Sequence, residues 1–309
     1  VIYMKQYGIT VDYEAYNTAL DKYLESAGKL KATDYERIGL VKACLGYDRN
    51  FIIDTINNKT GTGGIMSTIY GLMLAASNDY VSPDRITEIA DSLVSLQMAD
   101  GGWNLSGAYS DADVTAMALQ ALSAVRSYGY EDNIQKGVGR LASLQKDDAG
   151  YASYGVNNSE STAQVLMALC ALNIDYRTDT RFIKNGHTVL DALMGYRTSK
   201  GAFSHTKDGK SNALATTQAL GALVCADNYE KHGTFIYRYG NIQSRPVQKE
   251  TQPDVKPSPE QPAKTEPHHS CDGSIAATEH TQEITGVHEV TENETTDEDI
   301  TEPANDETT

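Results

Sequence analysis

Proline is nearly missing from the first 244 residues of this 309-residue chain: only Pro83 of eight lies there. With so few breakers, long helices are free to form. Long apolar runs are missing as well. None approaches the ~18 residues a membrane-spanning helix needs. The four cysteines have no CxxC or zinc-ligand spacing, and Cys44, Cys170 and Cys225 sit in apolar helical patterns. We expect buried thiols there. GxSxG, HExxH and P-loop signatures are absent. A basic patch is absent too, which argues against a nucleic-acid partner. No signal peptide is visible. The abrupt start at Val1 and the end inside a low-complexity run suggest a piece of a longer protein.

What is present divides in two. All 19 tyrosines lie before residue 240, whereas residues 241–309 carry 16 acidic and 4 basic side chains. Most of the net charge of −16 therefore belongs to the tail. Stretches such as "HEVTENETTDEDITEPANDETT" hold too few large apolar side chains to offset the entropy of ordering them. We read residues 1–230 as a folded domain and 231–245 as an exit segment. Residues 246–309 read as a disordered acidic linker or stalk, leading to a downstream domain or cell-wall anchor.

The folded part repeats. Segments starting at Leu93, Leu141 and Leu193 each run from a helix end to a Gly-aromatic step (Trp103, Tyr151, Phe203). A polar loop and a second helix follow. The two helices differ in kind. "SPDRITEIADSLVSLQ" puts Ile86, Ile89, Leu93 and Leu96 on one stripe, as a surface helix does. "VTAMALQALSAV" is small and apolar nearly all round, as a helix buried on every side is. Weaker copies at 12–28, 33–46, 50–58 and 63–77 bring the count to five helices of each kind, with no convincing strand pattern. The expected fold is all-α: an α/α barrel of concentric inner and outer helices, five to six hairpins in all.

"LQMADGGW" and "LQKDDAGY" resemble the QW-type repeat of the terpene cyclase and protein prenyltransferase superfamily, whose members are α/α toroids. The resemblance covers about residues 30–228. It implies several occupations. Squalene-type cyclases carry an Asp-x-Asp-Asp-Thr-Ala motif; Asp111, Asp113, Thr115 and Ala116 match it, with Asp113 in the proton donor's place. Val114 replaces the third Asp. Protein prenyltransferases hold zinc through Asp, Cys and His, and the order Cys225-Ala226-Asp227 does not fit. The thioester signature Gly-Cys-Gly-Glu-Gln is absent. Vitamin B12 carriers use the toroid as a binding domain, and bacterial surface proteins carry similar toroids.

Ser110-Asp111-Ala112-Asp113 also has capping-box spacing, as do Thr33–Glu36 and Asn157–Glu160. Helix N-termini favour ionised carboxylates, against a proton donor's needs. Trp103, Tyr151 and Phe203 are expected to lock their loops. Asp111, Asp113, Tyr109, Tyr154, Glu160 and His205 are the candidate ligand contacts, with Asp113 and Asp111 the catalytic candidates in a cyclase. The expected function is non-catalytic binding of a corrinoid-like molecule, glycan or partner at a loop-lined mouth. A cyclase-like isomerase and a plain spacer are the alternatives. No cofactor or metal is implied. The expected location is extracellular or on a bacterial cell surface.

Overall fold

Pro83 and Ser82 start a helix as their types require. Ser82 Oγ accepts the Arg85 amide at 3.3 Å and proline occupies the first turn. That helix, α6 (Pro83–Ser95), buries Ile86, Ile89 and Leu93 on one face. Each such side chain contributes roughly 1.5–3 kcal/mol by leaving water. The computed structural model describes residues 1–232. Beyond His232, the exit segment and the acidic tail lie outside the described residues, as does Cys271.

The described residues are mostly helical. In order they form α1 (Ile2–Gln6), α2 (Tyr13–Ser26), α3 (Ala32–Leu45), α4 (Arg49–Asn58), α5 (Ile65–Ala76), α6, α7 (Ala112–Ser123) and α8 (Glu131–Leu144). A hairpin of β1 (Tyr151–Ser153) and β2 (Val156–Asn158) precedes α9 (Ser159–Ala171), α10 (Val189–Met194) and α11 (Ala213–His232). The strands are antiparallel, with Tyr151 opposite Asn158. Three-residue strands are too short to show alternation, so the hairpin differs from the purely helical expectation.

Two kinds of helix alternate. α5, α7 and α9 are buried along nearly their whole length, while α4, α6 and α8 bury one face. α3 packs on α5, α5 on α7, α7 on α9 and α9 on α11. α6 lies on α5, α8 on α7 and α10 on α9; α1 touches α11 and α2 touches α3. α2 buries no residue. It is held by the buried Lys42 ammonium of α3, which pairs with Asp21 at 2.5 Å and with Asp48. Cys44, Cys170 and Cys225 are buried, and no disulfide joins them to one another.

The expected capping boxes are displaced. Asp111, not Ser110, caps α7: its Oδ1 accepts the amides of Asp113 (2.8 Å) and Val114 (3.1 Å). Ser110 is drawn away, donating to Asp100 and accepting from Arg140. Asn158, the last residue of β2, caps α9 in place of Asn157, accepting the Ser161 amide at 2.7 Å. Thr33 lies inside the first turn of α3, where the Asp34 carboxylate accepts the Lys31 amide at 3.0 Å. Glu36 faces inward and is fully buried. Neither Asp113, Glu160 nor Glu36 is used as a cap.

Candidate functional site

Each repeat closes with the same bond. The backbone amides of Trp103, Tyr151 and Phe203 donate to the hydroxyls of Thr115, Thr162 and Thr216 at 2.9, 3.1 and 3.0 Å. Each threonine lies four residues after the helix cap: Asp111, Asn158 or Asn212. Side-chain amides of Gln97 and Gln145 donate to the tight turns before the aromatics, at the carbonyls of Gly101 and Ala149. Trp103 and Tyr151 are fully buried and Phe203 nearly so. These three aromatics lock loop to helix.

The shared cap fixes what each helix presents. Six residues after the cap come Arg37 in α3, Tyr70 in α5, Met117 in α7, Gln164 in α9 and Gln218 in α11. All five line one cavity of about 450 Å³. Tyr3 of α1 and Tyr16, Leu20 and Tyr23 of α2 line it as well. That volume is within the roughly 300–1,000 Å³ usual for small-molecule sites.

The wall is polar in a directed way. Gln120 Nε2 donates to the Gln164 backbone carbonyl at 3.1 Å and to Gln164 Oε1 at 2.9 Å. The carbonyl can only accept, so the Gln120 amide orientation is set by chemistry. Gln164 Nε2 must then donate, and it reaches Gln218 Oε1 at 3.0 Å. The chain ends on Gln218 Nε2, a donor at the cavity wall. Arg37 is exposed, lies near enough to Tyr70 to act on its hydroxyl, and forms no ion pair among the described residues. Burial pushes the Tyr70 hydroxyl up, so it stays a neutral donor.

One turn nearer the helix starts, Asp113 and Glu160 occupy the same faces as Met117 and Gln164. Burial raises the Asp113 carboxyl to about 6; Asp111 and Glu160 add to this, while Ser161 and His205 oppose it. At about 6 the carboxyl is still mostly ionised at neutral pH, as a helix N-terminus favours. Asp113 Oδ1 and Ser161 Oγ are both buried; they make no hydrogen bond of ordinary geometry, yet the Ser161 hydroxyl lies near enough to hold the Asp113 carboxyl down. Glu160 accepts from Ser159 at 3.0 Å and lies 2.9 Å from His205 Nδ1. Asp111 Oδ2 accepts the Ser153 hydroxyl at 2.6 Å, tying α7 to the β hairpin.

The structure thus brings Asp111, Asp113, Glu160 and His205 together. Tyr109 and Tyr154 stand apart on loop surfaces, 80% and 85% exposed. Sequence reasoning passed over Arg37, Tyr70, Gln164 and Gln218. Their signal was a polar or large residue at one offset from five helix starts, which the other polar residues of α3 and α11 hide. Among the described residues, no cluster of three His, Cys, Asp or Glu has the geometry to hold a metal ion. Nor, among them, is any helix long and apolar enough to cross a membrane. No protein-family model matches the chain, and no curated protein matches it.

Proposed function

We propose that residues 1–232 are an α/α toroid that binds a small molecule without transforming it. One observation carries this: five helices present the residue at the same offset from their caps to a single cavity of about 450 Å³. Helices that share an offset toward one space are arranged around it. The contact of α1 with α11, and of α2 with α3, fits a closed arrangement. The superfamily resemblance and the alternation of two helix kinds support the same architecture. The cavity moves the expected ligand site from the loops to the helix wall. It is too small for a whole corrinoid, so the ligand is a smaller molecule. The acidic, Thr- and Pro-rich tail supports display on a stalk at a bacterial surface.

The test is a titration with the neutral fluorophore N-phenyl-1-naphthylamine. Saturable binding of one probe per chain is expected, and it is lost in Thr217→Trp, which fills the cavity from an exposed helix position. Absence of binding to the parent protein, with its helical circular dichroism intact, defeats the proposal.

One observation favours a second function, proton-initiated isomerisation of a polyprenyl substrate. Asp113 is a half-buried acid raised to about 6, with one oxygen fully buried. Turnover of squalene or a shorter polyprenyl chain, abolished by Asp113→Asn, would establish it. Absence of product removes it.

A further inference from the structure

We infer that the cavity selects a flat organic anion, its acidic group held by Arg37 and Gln218 and its apolar body by the tyrosines. This rests on the small-molecule binding proposed above and adds the chemical class. The donors decide it. Arg37 is the cavity's one guanidinium and has no carboxylate partner among the described residues. The only side-chain carboxylate of the lining is Asp34, three residues before Arg37. It is turned back to the Lys31 amide at 3.0 Å. The glutamine chain runs Gln120 to Gln164 to Gln218 with every donor pointing forward, so it delivers an N–H to the wall. A fork of guanidinium donors and a carboxamide donor on the walls of one cavity suit the oxygens of a carboxylate or sulfonate.

The rest of the lining suits the body of such a ligand. Tyr3, Tyr16, Tyr23 and Tyr70 supply ring faces and edges, and Met117 and Leu20 supply apolar surface. Aromatic side chains offer area at low entropic cost. The volume of about 450 Å³ equals roughly fifteen waters at ~30 Å³ each. One or two fused rings fit; an extended polymer does not. Most of the net charge of −16 lies in the acidic tail, so the folded domain is only weakly anionic. Selection of an anion therefore rests on the position of the Arg37 fork rather than on bulk charge.

The experiment uses two probes with the same apolar body. These are 8-anilinonaphthalene-1-sulfonate, an anion, and N-phenyl-1-naphthylamine, which lacks the sulfonate. Both are titrated at neutral pH and moderate salt into the parent protein, Arg37→Gln, Arg37→Lys and Thr217→Trp. Circular dichroism and melting temperature confirm that each variant is folded. The anion is expected to bind the parent at least about tenfold more tightly than the neutral probe. Arg37→Gln should weaken the anion by about tenfold or more and leave the neutral probe within twofold. Arg37→Lys should fall between, because a point charge lacks the fork. Thr217→Trp should abolish both. If the neutral probe binds and Arg37→Gln leaves the anion unchanged, the anion selectivity is wrong while the cavity stands. If neither probe binds the parent protein, the binding function fails and the selectivity with it.

Discussion

Thr115 Oγ1 accepts the backbone amide of Trp103 at 2.9 Å and donates back to the Trp103 carbonyl at 3.2 Å. Both residues are fully buried. A valine in place of Thr115 keeps the shape and removes both bonds. The Trp103 amide is then stranded away from water, at a cost of about 1–3 kcal/mol. Thr115→Val should therefore lower the melting temperature by roughly 2–4 °C per kcal/mol lost for a domain of this size. Thr115→Ser, which keeps the hydroxyl, should lose less. Thr216→Val should also lose less, because Thr216 is only half-buried and water can replace the bond to Phe203. Equal losses at Thr115 and Thr216 in chemical denaturation would show that burial does not set the cost.

The tight turn before each aromatic gives a second comparison. Gly101 and Ala149 are equivalent, both with left-handed backbones at φ 89° and 62°. A Cβ on Gly101 would lie 2.7 Å from the Lys136 carbonyl oxygen. Backbone cannot give way as a side-chain end can. Left-handed strain adds roughly 1–2 kcal/mol. Gly101→Ala should cost at least about 2 kcal/mol. Ala149→Gly removes similar strain but forfeits a buried methyl, about 0.8 kcal/mol, and adds unfolded-chain entropy of about 0.4–1 kcal/mol. The terms nearly cancel, so this change should be close to neutral. Urea unfolding of the two variants side by side checks both.

Much of the fold could be read from the sequence because burial writes a pattern. The stripe of Ile86, Ile89 and Leu93 and the all-round apolar run 114–122 became α6 and α7, whereas Leu96, read as part of the stripe, falls at the end of α6 and is exposed. The caps could not be read to the residue. Ser110, Thr33 and Asn157 have the right spacing, but which residue leaves helical dihedrals depends on where the chain enters. Arg140 and Asp100 capture Ser110, and they come from another helix and another loop. The carboxylate cluster was legible because Asp113 and Glu160 share an offset in two repeats. The cavity wall was not. Gln120, Gln164 and Gln218 are ordinary helix residues until three helices place them within 3.0 Å of one another in turn.

Glu36 makes a pH prediction with a definite sign. It is fully buried, receives one hydrogen bond from Ser67 at 2.5 Å, and keeps Oε2 unpartnered. Burial raises its pKa from 4.5 to about 8, with the Ser67 bond opposing. The folded state therefore holds a proton that the unfolded chain has already released. Its contribution is fully present below about pH 4.5, declines as pH rises through about 8, and is flat above. Glu36→Gln keeps an acceptor for Ser67 and removes the charge. The variant should be more stable than the parent above pH 8, on the order of 1–3 kcal/mol. Denaturation midpoints at pH 5, 7 and 9 measure this. A parent and variant that run parallel across those pH values would place the Glu36 charge in a better-solvated setting than its burial implies.

Asp113 shifts in the same direction over a different window, which separates the two acids. Its pKa rises from 3.8 to about 6, mainly from burial and then from Asp111 and Glu160. Stability from its protonated form is complete below about pH 4 and is lost by about pH 6. Asp113→Asn keeps the size and removes the titration. It should reduce the slope between about pH 4 and 6, where both acids contribute, and leave the Glu36 slope between about pH 6 and 8 intact. The gain at pH 7 should be on the order of 1 kcal/mol, since the residue is only half-buried. Asp111→Asn should act oppositely. Asp111 caps α7 and receives the Ser153 hydroxyl. Asn keeps the accepting oxygen, as Asn158 and Asn212 do in the equivalent helices, so stability should fall by no more than about 1 kcal/mol, from the lost charge at the helix start and the weaker Ser153 bond. It should also lower the Asp113 pKa, readable as a shift of the Asp113 carboxyl resonance in a pH-titrated NMR series. A neighbour that carries the cap and raises the second acid should move stability and titration together; movement of only one would uncouple the pair.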